Sequence, residues 1–165
     1  MAARPAGRAT FSGAITLEDD LTLTAAQGGD VEFAGVLDNA AGCAITKMGE
    51  GVVLFDGLQT HGPGAMLDIL AGTVYLNTDA GSDSAADLSI SVTDAELYLG
   101  CNQHLDTLTL GDGGKVAFAG ANVLVLEYLV MGGTDLGAMR LTPEPATLAL
   151  VSLGGLGVFL ARKRR

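Results

Sequence analysis

Few side chains in this sequence could do chemistry. His61 and His104 could move protons or bind a metal, and Cys43 and Cys101 could attack or pair. Asp79, Asp83, Asp87 and Asp94 could offer oxygens to a hard cation. Their spacing argues against catalysis. Both histidines fall in polar, turn-like stretches with no Ser or Cys nucleophile pattern nearby, so both are read as surface histidines. The four His and Cys residues lack the close spacing of a zinc site. The aspartates gather around one corner and read as a solvated acidic surface, with loose calcium binding as the alternative. A second group sits at the C-terminus. Pro143, Glu144 and Pro145 precede sixteen uncharged residues, Ala146 to Ala161, and then Arg162, Lys163, Arg164 and Arg165. This order suits a membrane: apolar side chains enter the hydrocarbon and the basic end stays with the cytoplasmic headgroups. Its chemistry is recognition and anchoring.

Charge supports that division. The 165 residues include 19 acidic and 9 basic side chains, and four of the nine basics close the chain. Residues 1–161 therefore set five basics against nineteen acids, a formal −14. So acidic a body repels nucleic acid and anionic lipid, and nucleic-acid binding is excluded on this ground. With 48% apolar residues the chain is too hydrophobic to be a disordered one. Residues 1–20 hold no apolar run of seven or more, so no secretory signal is visible. A body that leaves its basic end inside needs one, so the expectation is a C-terminal piece of a longer protein or a misplaced start.

The elements that carry these residues repeat. Gly28-Gly29-Asp30-Val31-Glu32-Phe33-Ala34-Gly35 returns as Gly113-Gly114-Lys115-Val116-Ala117-Phe118-Ala119-Gly120. With Val31, Val53, Val74, Leu97 and Val116 taken as equivalent, the steps are 22, 21, 23 and 19. A second strand precedes each: 21–24, 43–47, 66–70, 88–92 and 105–110, with a sixth at 123–130. Leu88-Ser89-Ile90-Ser91-Val92 shows the period-two alternation of strands. Two strands per repeat and a period near 21 predict an all-β fold, a right-handed parallel β-helix or solenoid in which each repeat is one rung. A β-sandwich is the alternative that strand spacing alone would permit. The cysteines then fall two or more rungs apart, roughly 10 Å along the axis. A disulfide needs Cα atoms within about 7 Å, so two free, partly buried thiols are expected.

The expected organisation is a disordered start at 1–9, a β-helical body at 10–141 and an anchoring tail at 142–165. The tail holds a single transmembrane helix over 146–161 and a basic end at 162–165. Sixteen helical residues span about 24 Å, short of the roughly 30 Å hydrocarbon core. Thr142 and the stem of Arg162 extend the reach, and Gly154, Gly155 and Gly157 allow close helix packing. Pro143 and Pro145 block helix on the N-terminal side.

Two resemblances follow from these residues. The segment from Thr46-Lys47-Met48-Gly49-Glu50-Gly51-Val52-Val53-Leu54-Phe55-Asp56-Gly57 to Ile69-Leu70-Ala71-Gly72-Thr73-Val74 resembles the autotransporter-associated β-strand repeat, clearest at 42–77. That resemblance implies a β-helical stalk or passenger domain on a bacterial surface. Gln59-Thr60-His61-Gly62-Pro63-Gly64 departs from the family's usual Asn-Tyr-Thr-Gly corner. Residues 143–165 resemble the PEP-CTERM sorting signal, with all three parts in order at the chain end. This implies export in a Gram-negative-type bacterium, retention in the inner membrane, and processing near Pro143-Glu144-Pro145 by an exosortase, a membrane-embedded cysteine peptidase. The destination implied is the cell surface or extracellular matrix. The implied partners are that peptidase and the lipid bilayer, with surface polysaccharide as a further one.

The resulting expectation is a non-enzymatic structural or adhesive protein with no catalytic, cofactor or resident metal site. Two alternatives stand beside it. One is a fragment of a carbohydrate-active β-helix enzyme, for which Lys47, Lys115 and Arg140 lack obvious partners. The other is a calcium-stabilised adhesin. For the second, Gly111-Asp112-Gly113-Gly114 is similar to one calcium-binding nonapeptide fragment, although such sites need tandem copies.

Overall fold

Short strands rich in Val, Leu, Ile and Phe, separated by glycine-containing corners, coil here into six rungs. The computed structural model describes residues 7–141 and 150–151. The first rung contains β1 (Arg8–Phe11), β2 (Ile15–Thr16) and β3 (Leu21–Thr24). The second contains β4 (Asp30–Phe33), β5 (Leu37–Asn39) and β6 (Ala44–Met48). The third contains β7 (Val52–Phe55), β8 (Gln59–His61) and β9 (Met66–Ile69). β10 (Gly72–Leu76) with β11 (Ser89–Val92), β12 (Ala95–Leu99) with β13 (Gln103–Leu110), and β14 (Lys115–Phe118) with β15 (Leu124–Met131) complete the coil. Three strands end the description: β16 (Thr134–Asp135), β17 (Met139–Leu141) and β18 (Leu150–Val151). β1 begins inside the stretch 1–9 that was expected to be a disordered start.

Every strand from β1 to β15 pairs in parallel with its equivalent one rung away. One sheet runs β1-β4-β7-β10-β12-β14, a second β3-β6-β9-β11-β13-β15, and a third β2-β5-β8. The observed register joins Val31, Val53, Val74, Leu97 and Val116 in a single row, matching the expected equivalence. Val53, Val74 and Leu97 in that row are wholly buried.

Parallel pairing without a slip places like on like, because a one-residue shift would turn each strand's apolar set outward. Phe11, Phe33 and Phe55 stack at 5.4 and 5.2 Å between ring centroids. Leu21, Ile45, Leu67, Ile90 and Leu108 form the corresponding row of the second sheet. The rungs also meet closely at the corners. A Cβ on Gly57 would run into the carbonyl oxygen of Gly35, and one on Gly35 into that of Gly13. Only glycine allows that approach at positions 35 and 57.

The third sheet was not expected, since the sequence indicated two strands per rung. β2, β5 and β8 have only two or three residues each, too short to show an alternation. In the fifth and sixth rungs the third side belongs to long strands that turn the corner. Gln103–Leu105 pairs with Leu124–Leu126, and Thr107–Leu110 with Tyr128–Met131.

No helix occurs among the described residues, and hence none there that is long and apolar enough to cross a membrane. The helix expected over 146–161 falls outside the described residues except at Leu150–Val151. Those two are extended and pair antiparallel with Val116 and Lys115 of β14. An apolar segment satisfies its backbone groups at an open strand edge as well as in a helix.

Candidate functional site

On the third side the parallel register brings polar residues together inside the coil. Asn39 of β5 lies directly beneath His61 of β8. The Asn39 side chain bridges its own corner, accepting from the Cys43 amide at 2.8 Å and donating to the Cys43 carbonyl at 2.9 Å. Its Nδ2 also lies 3.5 Å from His61 Nδ1, while His61 Nε2 is 3.3 Å from Gln59 Oε1. A neutral imidazole with its proton on Nε2 satisfies both contacts, since it accepts from Asn39 and donates to Gln59. The Gln59 amide donates to the Thr78 carbonyl at 3.3 Å and to its hydroxyl at 3.1 Å. Gln103 donates to the same Thr78 carbonyl at 2.8 Å and accepts from the Ala80 amide at 3.0 Å.

The two histidines were expected at the surface, and His61 is not there: it is 8% exposed. Burial pushes its pKa down to about 4, against a smaller opposing pull from Asp87. The sequence did hold the clue. Asn39 and His61 are separated by 22 residues, the same step as Val31 to Val53.

His104 is also held, by carboxylates. Its Nδ1 lies 2.7 Å from Asp79 and its Nε2 2.8 Å from Asp83. Burial lowers its pKa, but the hydrogen bonds and charges of Asp79 and Asp83 together outweigh that effect and raise it. Asp83 and Asp87, with Asp106 and Glu127, line an open depression of about 430 Å³ beside the loop that crosses the third side. Among the described residues, no three His, Cys, Asp or Glu side chains converge as a metal site would require. Two of the four corner aspartates are committed to His104 instead.

Lys47 is the residue that sequence reasoning missed. It occupies the inward row between Leu23 and Ile69 and is wholly buried. Its ammonium donates to the carbonyls of Met48 at 3.2 Å, Gly49 at 2.6 Å and Ala71 at 2.9 Å. These oxygens lie at the corner after the second sheet, where the chain turns, and the Met48 carbonyl also accepts from the Ala25 amide at 3.2 Å. Burial lowers the Lys47 pKa, partly opposed by Glu50. The signal was present as strand phase: Ile45 faces inward, so Lys47 two residues on does too. Lys47 is thus a corner cap with three partners.

Both thiols are free. Cys43 is buried, with its Sγ 3.8 Å from the Leu17 carbonyl, and Cys101 is half-buried beside Gln103. They fall in the second and fifth rungs, about 14 Å apart along the axis at strand spacing. Burial and the Asp79 charge both push the Cys101 thiol pKa up, against a smaller pull from Gln103, so it is no activated nucleophile.

At the C-terminal end the chain folds back. β16 pairs antiparallel with Val130 and Met131, and β17 with Leu124–Leu126, so together they run along the outer edge of β15. Leu129 joins the two segments through hydrogen bonds with Leu136 and Gly137. β17 ends at Leu141, and in sequence only Thr142 separates it from Pro143. Pro143, Glu144, Pro145, Arg162, Lys163, Arg164 and Arg165 lie outside the described residues.

Fold and tail together define a β-solenoid whose terminal edge leads straight into a sorting segment. Residues 141–165 match the PEP-CTERM protein-sorting motif, two residues longer at the front than the sequence resemblance indicated. This motif indicates an exported protein that an exosortase, a membrane protein, sorts at the membrane on its way to the surface. Comparisons with curated proteins and with solved structures found no match.

Proposed function

We propose that this chain is a non-enzymatic structural or adhesive protein of the bacterial surface or extracellular matrix, delivered there by processing of its tail. The observation that carries the proposal is the motif match at 141–165 immediately after the closing strand of a solenoid. Residues 146–161 anchor the chain in the inner membrane as a helix once Leu150–Val151 leave their pairing with β14, with Arg162, Lys163, Arg164 and Arg165 on the cytoplasmic side. The exosortase recognises Pro143, Glu144 and Pro145, two fixed-φ residues around a carboxylate that keep the segment before the anchor out of helix. The body is the cargo, and surface polysaccharide is its further partner. The resemblance of 42–77 to autotransporter-associated repeats supports this role, as do stacked rungs, which give a stiff, extendable shape.

A non-enzymatic role is supported by the commitments of the candidate groups. His61 is buried in a polar ladder, His104 is clasped by two aspartates, and Lys47 caps carbonyls. The test replaces Pro143, Glu144 and Pro145 with alanine in a host holding the peptidase, followed by fractionation and intact mass. The expected result is a full-length chain retained in the inner membrane while the unmodified chain loses its tail. Normal release of the altered chain would remove the three residues from the account.

A further inference from the structure

The two ends of the described coil differ. At the first rung, β1 has β4 on one side, and all four of its residues are exposed. At the last rung, residues 134–141 turn back and pair along β15 from Met131 to Leu124. The register there is Val130 with Asp135, Met131 with Thr134, Leu126 with Met139, Val125 with Arg140 and Leu124 with Leu141. Leu141 therefore has two roles. It is the last paired residue of the closing strand and the first residue of the matched sorting motif.

We propose that β17 is a latch on processing: its pairing with β15 withholds the residues before Pro143 from the sorting peptidase until that pairing opens. The inference rests on the sorting reading above. A peptidase binds the residues flanking its target bond as an extended chain inside a cleft, through main-chain hydrogen bonds. Residues 139–141 are already extended, but β15 lies alongside at strand spacing of about 4.8 Å. A cleft that encloses one strand has no room for a second at that distance, and behind β15 stands the whole solenoid. Thr142 is too short a spacer to carry Pro143 clear of it. Processing therefore waits on local opening of the last strand, an event drawn from the low end of a protein's stability range. The latch also has a protective consequence. A cut near Pro143-Glu144-Pro145 leaves residues 134–141 on the released body, so the β15 edge stays covered against edge-to-edge association, while β14 gives up its pairing with Leu150–Val151.

The experiment compares processing rates of full-length chains by pulse-chase and intact mass in a host holding the peptidase. One variant carries a Gly/Ser spacer of about six residues between Leu141 and Thr142, reaching about 13 Å as a flexible coil. It leaves β17 unchanged and should be processed faster, by about fivefold for each net hydrogen bond that no longer has to open first. Equal or slower processing overturns the latch while leaving the sorting reading intact. No processing of any chain, unmodified or altered, overturns the sorting reading and the latch with it. A second measurement needs no exosortase. Trypsin should cut the Arg140–Leu141 bond of the purified full-length chain far more slowly than the same bond in a peptide covering residues 136–146. It should cut faster again in a chain with Met139→Gly and Leu141→Gly. Cutting at the peptide's rate in the unmodified chain would show that β17 does not hold, and would overturn the latch.

Discussion

Acidification should destabilise the body through one side chain, His61. In the folded chain its pKa is about 4, against the ordinary 6.5, chiefly because it is buried. The geometry explains why protonation is resisted: Nδ1 faces the donating amide of Asn39, so a proton there would set donor against donor. A group whose folded pKa is depressed in this way is neutral when folded and charged when unfolded between the two values. The unfolded chain then binds more protons, and stability falls as pH drops from about 6.5 toward 4. The full gap corresponds to about 3 kcal/mol, and about 2 kcal/mol of it is lost between pH 7 and pH 4.5.

 His104 works in the opposite direction. Its raised folded pKa contributes stability that is present below its unfolded value and is lost as pH rises through the folded one. Carboxylates begin to titrate in the same range. Comparison with His61→Gln removes both complications, because the variant keeps His104 and every acid. The assay is urea unfolding followed by circular dichroism at pH 7 and pH 4.5. The unmodified chain should lose about 2 kcal/mol more than the variant over that interval, whatever their difference at pH 7. In parallel, the His61 ring protons should show no NMR titration near pH 6.5. Equal losses in the two chains, or a midpoint near 6.5 for His61, would refute the reasoning.

Two further outcomes follow from the corners. Lys47→Met keeps the length and apolar stem but leaves the carbonyls of Met48, Gly49 and Ala71 without their shared donor. It should cost about 1–3 kcal/mol in urea unfolding at pH 7, and a neutral or stabilising effect would mean that the ammonium is not capping them. Gly57→Ala drives a methyl into the Gly35 carbonyl and should cost about 1–3 kcal/mol, whereas Gly64→Ala, with open space but a positive φ, tests backbone strain without collision. Equal melting temperatures for Gly57→Ala and the unmodified chain would show that the corners do not pack as closely as described.

Much of the coil was legible. The row Val31, Val53, Val74, Leu97 and Val116 could be read from sequence because each residue sits in a strand of four or five that recurs in phase along the chain. The strand 21–24 was found with its observed limits, and the others of the second sheet to within about two residues. The third sheet was not legible, because Ile15–Thr16 and Gln59–His61 are too short to show a period. His61 was misplaced and Lys47 was missed for a common reason. Polar side chains are ordinarily exposed, and composition outweighed position, although both residues stand at inward places in the repeat. The sorting segment was read from order alone: a Pro-Glu-Pro, an apolar stretch and a basic end need no fold to be recognised.

The sequence by itself determined the repeat, the inward rows and the sorting motif, because these are carried by periodicity and by a linear order of residue types. The tertiary structure decided what those residues meet. Only the stacking of rungs puts Asn39 under His61, sets Asp79 and Asp83 on either side of His104, and brings Ala71 to the Lys47 ammonium across 24 residues of chain. Only the turn-back at the last rung lays β17 on β15 and so places Leu141 at the boundary between body and motif. Such partners are distant in sequence and adjacent in space. Their chemistry depends on hydrogen-bond geometry and burial, which a linear pattern does not specify.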